Sequence, residues 1–271
     1  MENADLRELL EWYRDAGVDA PLSDEPVDRF AQSEEDAAES ERLRERGKQG
    51  VAKRATAFTP SPPMPQAPPA APSVSDAQMV DAALAAANGA RDATALSNAI
   101  AAFRDCPLVQ TARRPVLPHF VDGAPLLVLG DGPDVEEDRT GEPFAGPGGE
   151  LLSRMLASIG MSFSAVSRAN ALPWRTPGER EPTPSEADIA RPFLARILAI
   201  SNASIVLVMG GTAAKLAVGP TPLPRQRGKV HELQGGARAI VTFNPRLLMT
   251  QPAQKRGAWE DLRRLRELIR A

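Results

Sequence analysis

The chain has 271 residues, with 32 Lys+Arg against 35 Asp+Glu and a single cysteine. One cysteine excludes an intramolecular disulfide and any multi-thiolate metal site, and no apolar run reaches the roughly 18 residues that a membrane span needs. The net charge of −3 is unevenly spread: residues 1–105 carry −8 and residues 106–271 carry +5, a split that suits a polyanionic partner or reflects an Arg-rich composition alone.

Residues 1–18 read as a short helix with Leu6, Leu9, Leu10, Trp12 and Tyr13 on one face, a docking or capping element for an unknown protein partner. No positively charged, then apolar, leader pattern precedes it, so a cytoplasmic monomer is expected. Residues 19–75 are acidic and then proline-rich, with almost no large apolar side chains. Such a stretch cannot bury enough surface to offset its ordering entropy and is expected to be a disordered linker. A compact domain is then expected over residues 76–271, beginning with a helical lead-in over 76–104 that breaks at Asn88-Gly89.

From residue 125 strands and helices alternate. Leu126-Leu127-Val128-Leu129 is a continuous apolar run of the kind buried on both faces. Leu151, Leu152, Met155, Leu156 and Ile159 recur at helical spacing before Gly160. A second strand is expected over 165–170, a helix over 187–200 that starts at Thr183-Pro184-Ser185-Glu186, and a third strand over 205–209. Thr212 is expected to cap a helix over 213–218, a fourth strand to occupy 239–243, and Trp259, Leu262, Leu265 and Leu268 to mark a closing helix. This order predicts a three-layer α/β/α fold around a four-stranded parallel sheet. In such sheets the ligand lies outside the carboxyl ends of the strands, here Gly130-Asp131, Asn170, Gly210-Gly211 and Asn244-Pro245.

Those ends offer a carboxylate (Asp131), two amides (Asn170, Asn244) and an aromatic on a Gly/Pro-rich loop (Phe144). No His or Cys falls at a strand end to form a nucleophile–base pair, no Gly-Lys-Ser/Thr forms a phosphate loop after the first strand, and no metal-ligand spacing occurs. The set suits a reaction in which a planar ring is stacked, read by amides and released while a carboxylate positions water. Each residue also has a plainer reading: Asp131 as a cap, Phe144 as core, Asn170 as a loop tie and Asn244 as a turn residue before proline. Glu137-Asp138-Arg139 reads as a loop-stabilising ion pair, and His119 and His231 as structural or exposed.

Several co-linear motifs resemble the family 4 uracil-DNA glycosylases. Gly130-Asp131-Gly132-Pro133-Asp134, followed by Glu137-Asp138-Arg139-Thr140-Gly141-Glu142-Pro143-Phe144-Ala145-Gly146, is similar to that family's first motif. Residues 170–184 resemble its second, and Asn244-Pro245-Arg246-Leu247-Leu248 stands where it has His-Pro and a wedge loop. The resemblance covers about 165 residues and implies a DNA-repair glycosylase that flips uracil, or a related deaminated base, out of DNA and hydrolyses its N-glycosidic bond. A catalytically impaired DNA-binding or regulatory paralogue is the alternative.

Carried over by position, Asp131 and Asn244 would be catalytic. Gly130, Gly132, Phe144 and Asn170 would bind the base, with Phe144 stacking on it and Asn170 reading its Watson–Crick edge. Arg246, Leu247 and Leu248 would enter the DNA. Asp131 replaces the family's longer Glu, and a misplacement of about 1 Å can cost on the order of 100-fold. Asn244 replaces its His, as in the related mismatch-specific glycosylases, and Asp134 replaces a glycine. The family's iron–sulfur cluster needs four thiolates. Only Cys106 remains, with Phe103, Trp174 and Ala190 at the other positions, so no cofactor is expected and Trp174 is expected to fill the space.

Overall fold

A computed structural model describes residues 75–270. The expected helix over 1–18 and nearly all of the linker over 19–75 lie outside the described residues.

The lead-in forms two helices, α1 (Asp76–Gly89) and α2 (Ala93–Ala102). Ser75 and Gln78 make a reciprocal capping box at α1, and Asp92 accepts from the Ala95 N–H at α2, each satisfying amides that the first turn leaves free. Their buried side chains, Ala83, Ala87, Leu96 and Ile100, share one core with α5 (Pro184–Ser201). The α5 start is capped by Thr183 and Glu186, with Pro184 at the first turn, as the sequence predicts.

Five strands form the sheet: β1 (Leu126–Gly130), β2 (Ser167–Asn170), β3 (Ile205–Met209), β4 (Val230–Glu232) and β5 (Arg238–Thr242), in the order β2-β1-β3-β5-β4. The four expected strands are present and mutually parallel. The expected strand count is corrected by β4, which pairs antiparallel with β5. Three residues with Val230 and Glu232 exposed give no apolar run, and an edge strand needs none.

Alternate residues of the buried strands face opposite layers. Leu127, Leu129, Val206, Val208 and Val241 pack with α1, α2 and α5, whereas Leu126, Val128, Ile205, Leu207 and Ile240 pack in a second cluster. That second cluster takes in α4 (Gly146–Ser158), α8 (Pro245–Thr250) and α9 (Lys255–Arg270), and Leu223 of the short α7 (Leu223–Gln226) packs against it. On α9, Leu262 and Leu265 are buried, but Trp259 is 42% exposed and does not mark the core face.

Two further expectations change. Residues Val135–Thr140, expected as loop, form a short helix α3, because Asp134 and Glu137 make a capping box. Thr212 is not the cap of α6 (Gly211–Ala217): Gly210 holds that position with no side-chain bond, and the capping oxygen comes from elsewhere in the fold. The carboxyl ends of β2, β1, β3 and β5 lie side by side, with Gly130 paired to Asn170 and Met209 to Thr242.

Candidate active site

A narrow cleft opens at these strand ends, between the loop after β1, the tip of β2 and the start of α8. Gly130, Asp131, Gly132, Phe144, Asn170, Asn244 and Arg246 line it, so seven of the nine site residues expected from sequence converge on one place, and Leu247 and Leu248 do not line it.

Phe144 holds a left-handed backbone (φ 58) and is 8% exposed. Its N–H donates to Glu137 Oε1 at 2.6 Å. A Cβ at Gly130 would lie 2.9 Å from Phe144 Cζ and 3.0 Å from Asn170 Oδ1. Only glycine there lets the aromatic ring and the amide of Asn170 meet over the end of β1. Asn170 is 4% exposed. Its Nδ2 donates to Glu137 Oε1 at 3.1 Å, while its Oδ1, also buried, has no hydrogen-bond partner.

Glu137 is the residue that the sequence reading misplaced. It is 5% exposed and makes no ion pair with Arg139, which bonds Glu136 instead. Its Oε2 accepts the Asp134 N–H at 2.8 Å and its Oε1 serves both Phe144 and Asn170. Burial pushes its carboxyl above the usual range, against the pull of these N–H donors. The signal was present as Asp134-x-x-Glu137, an Asx-started capping box. The same box turns Asp134 toward the Glu137 N–H (2.9 Å).

Asp131 faces the other wall. Its Oδ1 accepts the Ala213 N–H at 2.8 Å, so this side chain supplies the capping oxygen of α6 from the loop after β1. Burial raises its pKa; the Ala213 N–H, the Arg246 charge and the Asn244 amide oppose the rise. Gly210 makes room for it: at φ 115 a Cβ there would collide with the Asp131 carboxylate. Asn244 caps α8, its Oδ1 accepting the Arg246 N–H at 2.9 Å. Its Nδ2 points to Asp131 Oδ2 at 3.4 Å and Met209 O at 3.5 Å.

Arg246 crosses the mouth of the cleft, donating to Gly132 O at 3.1 Å and to Glu179 Oε2 at 3.2 Å. Glu179, not anticipated from sequence, sits at φ 56 in the loop after β2. The apolar loop expected to enter DNA is only partly available. Leu247 is half-buried, and Leu248 is 1% exposed in the core. In a single helical turn Leu248 points inward, and the neighbouring Met249 takes the outward direction at 46% exposure.

The four positions where the resemblance implied cluster ligands are packed in one core. Phe103 stacks on Trp174 at 5.6 Å between ring centroids, both rings meet Phe193 edge-on, and Cys106 and Ala190 are buried in the same core. One thiol cannot ligate a four-thiolate cluster, and aromatic rings fill the space. Among the described residues no group of three or more His, Cys, Asp or Glu could hold a metal ion, and no helix is long and apolar enough to cross a membrane.

A mostly parallel sheet with an aromatic ring, a buried amide and a helix-capping carboxylate at its carboxyl edge defines an α/β fold with a polar cleft at its strand ends. Residues 117–263 match the model of the uracil DNA glycosylase superfamily, and the chain belongs to that superfamily. Within it the chain is similar to the type-4 uracil-DNA glycosylase of Archaeoglobus fulgidus, 30% identical over 62% of this chain and 89% of the relative. The type-4 uracil-DNA glycosylase of Thermotoga maritima is 31% identical over 54% of this chain and 78% of its own length. That of Sulfurisphaera tokodaii is 26% identical over 61% and 79%.

Proposed function

We propose that residues 76–271 form a DNA glycosylase that hydrolyses the N-glycosidic bond of deoxyuridine after the base is flipped from DNA. The observation that carries this reading is the meeting of Phe144 and Asn170 over Gly130. An aromatic ring and a buried, unpaired amide oxygen face one cleft, and a uracil ring needs a stacking surface and an acceptor for its N3–H. The names of the relatives agree with it and lend nothing to the impaired alternative.

Phe144 stacks on the base and Asn170 reads its edge. Asp131 Oδ2 is the carboxylate oxygen left by the α6 cap, so it accepts from and orients the attacking water. The Asn244 Nδ2 leaves its long bonds to Asp131 and Met209 and donates to uracil O2 as negative charge builds on the leaving base. An amide cannot become cationic, so this stabilisation is weaker than an imidazole's. The Arg246 guanidinium exchanges Glu179 for a backbone phosphate. Leu247 and the exposed Met249, rather than Leu248, fill the gap left by the base. Uracil-containing DNA is the substrate in this reading.

The test is incubation with single-stranded, G:U and A:U oligonucleotides followed by alkali. Strand breaks at the uracil position support the proposal. Their absence at stoichiometric protein overturns it.

A further inference from the structure

Uracil and cytosine differ at the edge that Asn170 faces. Uracil presents a donor at N3 and an acceptor at O4; cytosine presents an acceptor at N3 and a donor at N4. A carboxamide reads either one, depending on which of its two ends faces which atom. Whatever fixes the rotation of the Asn170 amide therefore chooses the base.

In this fold Glu137 fixes it. Both carboxylate oxygens are pinned by backbone donors, Oε2 by Asp134 N–H at 2.8 Å and Oε1 by Phe144 N–H at 2.6 Å, so the carboxylate cannot swing away. Oε1 then stands 3.1 Å from Asn170 Nδ2. The two N–H donors favour the ionised form against burial, and in that form the carboxylate only accepts. Turning the amide over would set Oδ1 against Oε1, two acceptors in a buried place, and such a pairing is costly. With Nδ2 committed to Glu137, the amide keeps Oδ1 unpaired and one N–H free, the order that complements N3–H and O4.

We infer that Glu137 is a specificity-determining positioning residue, which locks the Asn170 amide in the orientation that accepts uracil and rejects cytosine. This rests on the reading of Asn170 as the base-edge reader. The lock does not act on thymine, whose edge is the same as uracil's.

The experiment compares the affinities of the wild-type protein, Glu137→Gln and Glu137→Ala for free uracil and free cytosine, alongside excision of uracil from an oligonucleotide. A site built to pair a specific donor and acceptor set rejects the mismatched analogue strongly. The wild type should prefer uracil by about 100-fold or more, Glu137→Ala should bring that preference to within about tenfold, and Glu137→Gln, whose amide oxygen can take both N–H bonds of Oε1, should keep most of it. A folded Glu137→Ala protein with the wild-type preference overturns the inference and leaves the glycosylase reading standing. So does a wild type that excises uracil yet prefers neither base. A wild type that excises no uracil overturns the glycosylase reading and this one with it. If neither variant folds, the wild type labelled with 15N-asparagine decides. An Asn170 side-chain amide proton that exchanges slowly, assigned by its loss in Asn170→Asp, supports the lock; rapid exchange of both protons overturns it.

Discussion

Asp131 and Asn244 are 113 residues apart in the chain and face each other across the cleft, Asn244 Nδ2 lying 3.4 Å from Asp131 Oδ2. Each is also a helix cap: Asp131 for α6 through Ala213 N–H and Asn244 for α8 through Arg246 N–H. The caps aim the two groups at one volume, and they tie the chemistry of each residue to local stability.

Asp131→Asn should lose at least about 100-fold in single-turnover uracil excision, because the acceptor for water is lost. Its melting temperature at neutral pH should hold or rise. Burial raises the folded-state pKa of Asp131. A raised acid contributes stability that is present at low pH and is lost as pH rises through the folded pKa. The carboxylate is thus a liability at neutral pH, and asparagine keeps the Ala213 bond without it. The same shift predicts that wild-type excision declines with acidity at a higher pH than for an ordinary aspartate. A pH–rate profile matching an unperturbed carboxylate would contradict it.

Asn244→His should speed excision by about tenfold, since an imidazole stabilises the leaving base more than an amide does. The α8 cap is lost in exchange, at about 1 kcal/mol. Rate and melting temperature should move in opposite directions, by activity assay and calorimetry on one preparation.

Arg246→Ala should lower the slope of log affinity for DNA against log salt by about one, uniformly across sequences. Glu179→Gln should do the reverse of weakening: it frees Arg246 from its ion pair and should tighten DNA binding modestly, because exposed pairs of this kind are worth about 0–1 kcal/mol. Fluorescence anisotropy over a salt series measures both.

Gly210→Ala should cost about 1–3 kcal/mol through the φ of 115 alone. It should also abolish excision, because the added Cβ displaces the Asp131 carboxylate. Full activity in a folded Gly210→Ala protein would remove Asp131 from the mechanism.

Purified protein should carry no stoichiometric iron, and chelators should leave its melting temperature unchanged. Trp174→Ala should lose about 3–5 kcal/mol, the usual cost of deleting a buried large aromatic. Iron analysis and thermal melts check the pair.

Much of this was legible in the chain. The apolar runs at 126–129 and 205–209 read as strands buried on both faces, because they are short and each is followed by glycine. The Thr183–Glu186 capping box and Pro184 set the start of α5 by local chemistry alone. Once the alternation of strand and helix required a parallel sheet, its carboxyl ends followed, and with them the set that includes Asp131, Phe144, Asn170 and Asn244.

Tertiary structure decided what depends on partners far apart in sequence. The exposed edge strand β4 exists because β5 offers it hydrogen bonds, which no pattern in Val230–Glu232 records. Leu248 points into the core and Met249 outward because α8 lies on α4, a direction that one short turn cannot specify for itself. Above all, Glu137 looks like a surface charge in sequence. Its burial, and its grip on Asn170 33 residues away, arise only when the β1 loop folds over the end of β2. A carboxylate's role follows from the donors that surround it, and those donors are assembled by the fold.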